Sequence, residues 1–308
     1  MTTGHRSVRQ PWWAAALRDA ARMHGIAAED ARPLSDGYHA TIALPRAGLT
    51  ARVARAGETP QAMQTELDFA VLAAGHGMPV LAPADPQATP TGHGTVSFWP
   101  LLTTTGATAG WPWLARALAQ IHRLPAGQYP HRCDPLGRVR NRLARYRQWP
   151  GAHHSVAETV AGACRQLGDE LADMTWPTAI VHGDAHPGNV VVTATGPILV
   201  DFDLAGTGPA MWDLTIPVVH HRRFGAPGHI LSEFFAAYGS DPRGHPGFET
   251  QVRVQELLCI SYVLERLIAG APAEQELTSR LQALRQTGTP AHWHPLPPVN
   301  SQPQAQVK

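Results

Sequence analysis

Asp184, Asn189 and Asp201 are the residues whose types and spacing could carry chemistry. Asp184 follows Ile180-Val181-His182-Gly183, and Asn189 closes the loop Ala185-His186-Pro187-Gly188-Asn189. Apolar runs at Ala179 to Val181 and Val190 to Val192 bracket this loop. A third run, Ile198 to Val200, follows Thr195-Gly196-Pro197 and delivers Asp201-Phe202-Asp203. The pattern predicts short strands joined by a polar loop and a turn, with Asp184, Asn189 and Asp201 at one end of the same small sheet. Three oxygen-bearing side chains gathered in this way suit phosphoryl transfer. One carboxylate orients an acceptor hydroxyl and takes its proton, while an amide and a second carboxylate hold Mg²⁺ against nucleotide phosphates. Turn formation alone explains Asp, Asn, Pro and Gly in such a loop. It does not explain two carboxylates directly after an apolar strand, where burial without exposure or a compensating charge is costly.

The spacing of Asp184 and Asn189 is that of the base and the metal-binding Asn in the protein-kinase loop H-R-D-x-x-x-x-N, where D-F-G supplies the other metal ligand. H-G-D-x-H-P-G-N followed by D-F-D resembles the signature of the aminoglycoside phosphotransferase and choline kinase-like family of small-molecule kinases. The helix ending at Ile121-His122 before Leu124-Pro125, and the stretch from Leu204 to Asp213-Leu214, resemble further segments of that family. The resemblance implies a two-lobed α+β protein-kinase-like fold, with a small N-terminal antiparallel-sheet lobe and a larger, mainly helical C-terminal lobe. It further implies transfer of the γ-phosphoryl group of ATP, with Mg²⁺, to a hydroxyl of a small molecule: an aminoglycoside or other antibiotic, or an amino-alcohol or sugar metabolite.

Residue by residue, the resemblance makes Asp184 the base and Asn189 and Asp201 the metal ligands, with Asp203 as a further one. His182 braces the loop, and Asp213 caps a helix and steadies the loop by hydrogen bonds. Arg52, on the strand Thr50 to Arg55, aligns with the basic residue that reaches the phosphates, and Glu66 on the next helix is its partner. Arg in place of Lys is a departure, because a planar guanidinium binds phosphate oxygens bidentately where an ammonium acts as a point charge. Gly37 is the one glycine of the phosphate cover Ser35-Asp36-Gly37-Tyr38-His39, and the backbone of Trp99 to Leu101 meets the adenine edge. The glycine-poor cover and Arg52 also allow a nucleotide-binding protein with weak catalysis. His182, Asp184, His186 and His122 allow a zinc hydrolase, the least favoured reading.

The 308 residues suffice for a two-lobed chain, divided here at 1–100, 101–288 and a polar, proline-rich tail at 289–308 read as disordered. Lys plus Arg number 25 against 24 Asp plus Glu, so no global field argues for nucleic acid or a membrane surface, and the expected partner is a small acceptor molecule. Cys133, Cys164 and Cys259 form no C-x-x-C, and no stretch has the length or apolarity of a signal peptide or membrane span. A cytoplasmic protein is expected.

Helices are predicted at Pro11 to Met23, Gln61 to Ala74, Trp113 to His122, Leu136 to Gln148, Ser155 to Met174, His229 to Tyr238, Phe248 to Ala269 and Glu274 to Gln286. A hairpin of Gly37 to Leu44 with Leu49 to Ala54, an edge strand after Pro83 and a strand from Val96 complete the first lobe. The five arginines of Leu136 to Gln148 read as a solvated face. Glu233, Glu249, Glu256 and Glu265 are available to a cationic acceptor, with surface charge as the default for each.

Overall fold

The computed structural model describes residues 11–36, 39–54, 59–285 and 292–296, and forms two compact units. The first comprises residues to Val71 together with Leu81–Thr103. Its elements are α1 (Ala14–His24), β1 (Arg32–Asp36), β2 (Ala40–Leu44), β3 (Leu49–Val53), most of α2 (Pro60–Gly75), β4 (Thr89–Thr91) and β5 (Gly94–Pro100). The strands make one antiparallel sheet in the order β1-β2-β3-β5-β4. Gly37 and Arg55 lie outside the described residues.

Side chains alternate across a strand, and the sequence uses both faces. Ala40, Ile42 and Leu44, Ala51 and Val53, and Val96 and Phe98 point one way, where Ala16, Leu17 and Ala20 of α1 bury them at helical spacing. The opposite face carries Thr41, Arg52 and Ser97 in one row, with Trp99 two positions further along β5. Glu66 of α2 meets Arg52 on this face.

The second unit contains Leu72–Val80 and the chain from Thr104 onward. Its elements are α3 (Trp111–Ile121), α4 (Pro135–Gln148), α5 (His154–Ala172), β6 (Thr178–Val181), β7 (Val190–Thr193), β8 (Gly196–Leu199), β9 (Gly206–Pro209), α6 (Met211–Phe224), α7 (His229–Tyr238), α8 (Phe248–Ile268) and α9 (Glu274–Arg285). Helix α8 is buried on most sides and carries polar residues such as Gln255, Glu256 and Arg266 inside along with its apolar ones. Its Val254, Leu257, Ile260, Val263 and Leu264 share a core with Leu136, Val139 and Leu143 of α4, Val160 and Leu167 of α5, and Leu277 and Leu281 of α9. Two short antiparallel pairs, β6 with β9 and β7 with β8, carry the loop that holds Asp184.

An antiparallel sheet unit and a helical unit are the predicted fold class, but several local expectations are corrected. The strand before Asp184 pairs with β9 and not with the hairpin that leads to Asp201, and Gly206 of β9 leaves room on its other side for the backbone of Arg132 and Cys133, which a Cβ would strike. The edge strand expected after Pro83 is present as β4, and Val80 before it makes an isolated bridge to Leu199. Helix α4 is not simply a solvated face: Arg142 is buried and donates to Glu265, Ser261 and the Leu258 carbonyl. Glu256 and Glu265 are likewise consumed inside the unit, Glu256 by Arg223 at 2.7 Å. Trp293, within the stretch read as a disordered tail, is buried, donates its backbone N–H to the Arg223 carbonyl and lies under the guanidinium groups of Arg223 and Arg280.

The Arg223–Glu256 pair generates a stability prediction. Glu256→Ala leaves a buried guanidinium without its carboxylate, which costs about 3 kcal/mol, read as an earlier urea transition of the helical unit. An unchanged midpoint would mean that the pair contributes nothing to the stability of the unit.

Candidate active site

A tight turn places Asp184. Gly183 has φ 88°, and a Cβ there would sit 2.3 Å from the Leu204 carbonyl oxygen, so only glycine admits the turn without strain. The turn is held from below by Asp213, whose fully buried carboxylate accepts the backbone N–H groups of His182 and Gly183, each at 2.8 Å. The third bond to this carboxylate comes from His122 Nε2 at 3.0 Å, and the other nitrogen of that ring meets the Tyr238 hydroxyl at 2.8 Å. Trp212 adds a bond from its indole N–H to the Gly183 carbonyl at 2.8 Å. Asp213 lies in the first turn of α6 but does not cap it: the N-cap position is Ala210, and the carboxylate serves the loop.

His182 braces the loop from inside. Its ring is fully buried against Phe202, Nε2–H donates to the Val200 carbonyl at 3.2 Å, and Nδ1 accepts the Asp184 N–H at 3.3 Å. Those two bonds fix one neutral tautomer, a donor on Nε2 and an acceptor on Nδ1. Asn189 donates from its side-chain nitrogen to the Asp184 carbonyl at 2.9 Å, and its own carbonyl accepts the Val200 N–H at 2.9 Å. The pairing of Val200 with Asn189 sets Asp201 beside Asn189 in the chain's course, although the two arrive from separate strands. His186 takes a bridging role, accepting the Gly188 N–H on Nδ1 at 3.0 Å.

Asp201 has φ 69° and is the one non-glycine residue with positive φ among the described residues. Such a conformation is unfavourable for a side-chain-bearing residue and persists where the surroundings impose it, which happens most at functional sites. Asp203, expected as a further metal ligand, accepts from Arg138 of α4 at 2.7 Å, with both side chains largely buried. This ion pair explains how two carboxylates are tolerated after an apolar strand. Asp184, half-buried, has its carboxyl pushed above the usual range by burial, with Asp203 and Asp201 adding to the rise and His186 opposing it.

In the sheet unit, Arg52 donates to Glu66, which is almost wholly buried, and to His39 Nδ1 at 2.9 Å. Trp99 is buried, with its indole N–H on Ser97 Oγ at 2.9 Å. The Leu101 N–H already donates to the Gly48 carbonyl at 2.9 Å, so the amide nearest the predicted adenine edge is engaged within the sheet unit. Among the described residues, no group of three or more His, Cys, Asp or Glu side chains is placed to hold a metal ion. The zinc reading fails further on direction, since His122 is engaged by Asp213 and Tyr238, and His182 points at Val200. Arg138, Tyr238 and Trp212 were not singled out in the sequence. Each acts through a partner dozens of residues away, and Arg138 is one of five arginines on a single helix.

Residues 30–248 match the model of the phosphotransferase enzyme family, and the chain belongs to that family. Solved structures share its fold at low sequence identity. An amicoumacin kinase, hAmiN, in complex with AMP-PNP, Ca²⁺ and Ami is 14% identical, with a TM-score of 0.67 over 88% of this chain and 92% of that one. The aminoglycoside phosphotransferase APH(3'')-Id from Streptomyces rimosus is 17% identical, with a TM-score of 0.59 over 79% of this chain and 97% of the other. A choline/ethanolamine kinase family protein from Mesorhizobium loti is 17% identical, with a TM-score of 0.60 over 90% and 96%. No curated protein matches the sequence. Among the described residues, no helix is long and apolar enough to cross a membrane.

The turn at Gly183 yields a direct test. Gly183→Ala must displace the Leu204 backbone, so turnover should fall at least tenfold while the sheet unit unfolds as before; full turnover would show that the turn is not fixed.

Proposed function

We propose that the chain transfers the γ-phosphoryl group of ATP to a hydroxyl of a small molecule. The observation that carries this reading is the clamped loop, which presents Asp184 with Asn189 bonded to its backbone and Asp201 held in a strained conformation beside it. Asp184 accepts a hydrogen bond from the acceptor hydroxyl, orients the oxygen and receives its proton. The bond from acceptor oxygen to γ-phosphorus forms as the β–γ bridging bond breaks, and ADP leaves. A carboxyl held above the usual range by burial is the better proton acceptor. A loose transition state asks little of a base, so positioning supplies much of the rate.

The donor set fits Mg²⁺. This ion takes oxygen ligands, usually one or two from protein carboxylates or amides, and keeps water and phosphate oxygens for the rest. Asn189 has its nitrogen on Asp184, which leaves Oδ1 directed away from that bond, and Asp201 supplies a carboxylate. Asp203 is compensated by Arg138 and serves the site as a structural neighbour more than as a ligand. When bound, the ion neutralises charge developing on the phosphates. In the sheet unit, Glu66 and His39 orient the Arg52 guanidinium, which suits it to phosphate oxygens, and Trp99 to Leu101 is assigned to the adenine edge. With the Leu101 N–H on Gly48, that edge is left to carbonyl groups and side chains.

AMP-PNP with Ca²⁺, and ADP with streptomycin or spectinomycin, appear in complexes of structural neighbours, in keeping with a nucleotide, a divalent ion and a small acceptor here.

The two aspartates separate under mutation. Asp184→Asn should lower kcat by roughly 10²-fold or more, the scale of a positioned general base, and leave Mg-ATP affinity within a few-fold. Asp201→Asn should lower turnover and Mg-ATP affinity together, read by labelled-ATP transfer and calorimetry. Near wild-type kcat in Asp184→Asn would sink the assignment.

A further inference from the structure

Helix α6 starts at the loop, where Trp212 and Asp213 bond to residues 182 and 183. Asp213, Pro217, His220 and Phe224 then follow at a spacing that sets them along one helical face. The His220 ring lies 6.0 Å from His186, 5.1 Å from Trp111 at the start of α3 and 5.3 Å from Phe224. All four of these rings are half-buried; Trp111, His186 and His220 make a wall of partly exposed rings that begins two residues beyond Asp184, while Phe224 packs against Trp293 and under the Arg280 guanidinium. Burial and the neighbouring His186 push the His220 imidazole down to about 4, which leaves it uncharged near neutral pH.

The acids that a polycation requires are committed elsewhere. Glu249 is bonded twice to Arg222, Glu256 is buried on Arg223, and Glu265 is shared by Arg142 and Arg145. The remaining glutamate of α7 and α8, Glu233, is exposed on α7. A single exposed acid cannot assemble a site for several cations, because isolated surface charges are strongly screened.

Resting on the phosphotransferase reading above, we propose that the acceptor is a hydroxyl compound that lays an apolar, ring-bearing face against Trp111, His186 and His220 and carries at most one positive charge. Stacking and edge contacts with rings tolerate such a face and give orientation through shape. The hydroxyl to be phosphorylated sits at the end of the wall nearest Asp184.

The test is labelled-ATP transfer by the full chain with Mg²⁺ to a hydroxyl library graded by charge and apolar area: streptomycin as a polycation, choline as a small ammonium, and phenylserinol and erythromycin as single-amine compounds with an apolar face. Product from the last two at rates at least tenfold above streptomycin and choline is expected. Trp111→Ala should raise the KM for the preferred acceptor at least tenfold and leave the KM for Mg-ATP within threefold, while Trp111→Phe keeps both within threefold. Preference for streptomycin or choline would overturn the proposal, as would an unchanged acceptor KM in a Trp111→Ala protein whose Mg-ATP affinity shows it folded. Product from no member of the library would instead count against the phosphotransferase reading itself.

Discussion

The buried Asp213 carboxylate is the interaction on which the rest of the helical unit's chemistry depends. Two consecutive backbone N–H groups, His182 and Gly183, have no strand partner at the point where the chain leaves β6, and water cannot reach them. Leaving such donors unpaired costs about 1–3 kcal/mol each, and an unpaired carboxylate at the same depth would cost more. Placing one against the other solves both problems and fixes the loop in a single geometry. The bond from His122, itself held by Tyr238, ties the ends of α3 and α7 to the same carboxylate. Asp184 is therefore positioned by groups that never need to touch a substrate.

Electrostatic compensation runs through the same unit. Arg138 offsets Asp203, Arg223 offsets Glu256, and Arg142 with Arg145 offsets Glu265. The near-neutral sequence thus conceals local pairs of opposite charge, several of them largely buried. The pairing makes Asp203 a compensated charge beside the loop that presents Asp184 and Asn189. It also removes most of the acids that a cationic acceptor would need.

What could be read in the sequence was what is local. The H-G-D-x-H-P-G-N run, the D-F-D run and the period-2 and helical apolar patterns depend on neighbours a few residues apart, and helices α3, α7 and α8 fall within two residues of their predicted bounds. The link between Arg52 and Glu66 was legible through the family resemblance, which pairs a basic strand residue with an acid on the next helix. Contacts between distant segments were not legible. Nothing in the composition of α4 marks Arg138 and Arg142 as inward-facing among five arginines, and nothing near Asp213 reveals that His122 completes its bonding. The pairing of β6 with β9 was hidden because glycines, which carry no hydropathic pattern, make up half of β9. Trp293 escaped for the opposite reason, as one aromatic anchor within a polar, proline-rich composition.

The central claim is that Asp213 clamps the loop that presents Asp184. Amide hydrogen exchange over residues 180–189, compared between the wild type and Asp213→Asn with α8 as internal control, tests it most directly. The account predicts that protection across the loop falls at least tenfold while α8 exchanges as before; equal protection in the two proteins would contradict it.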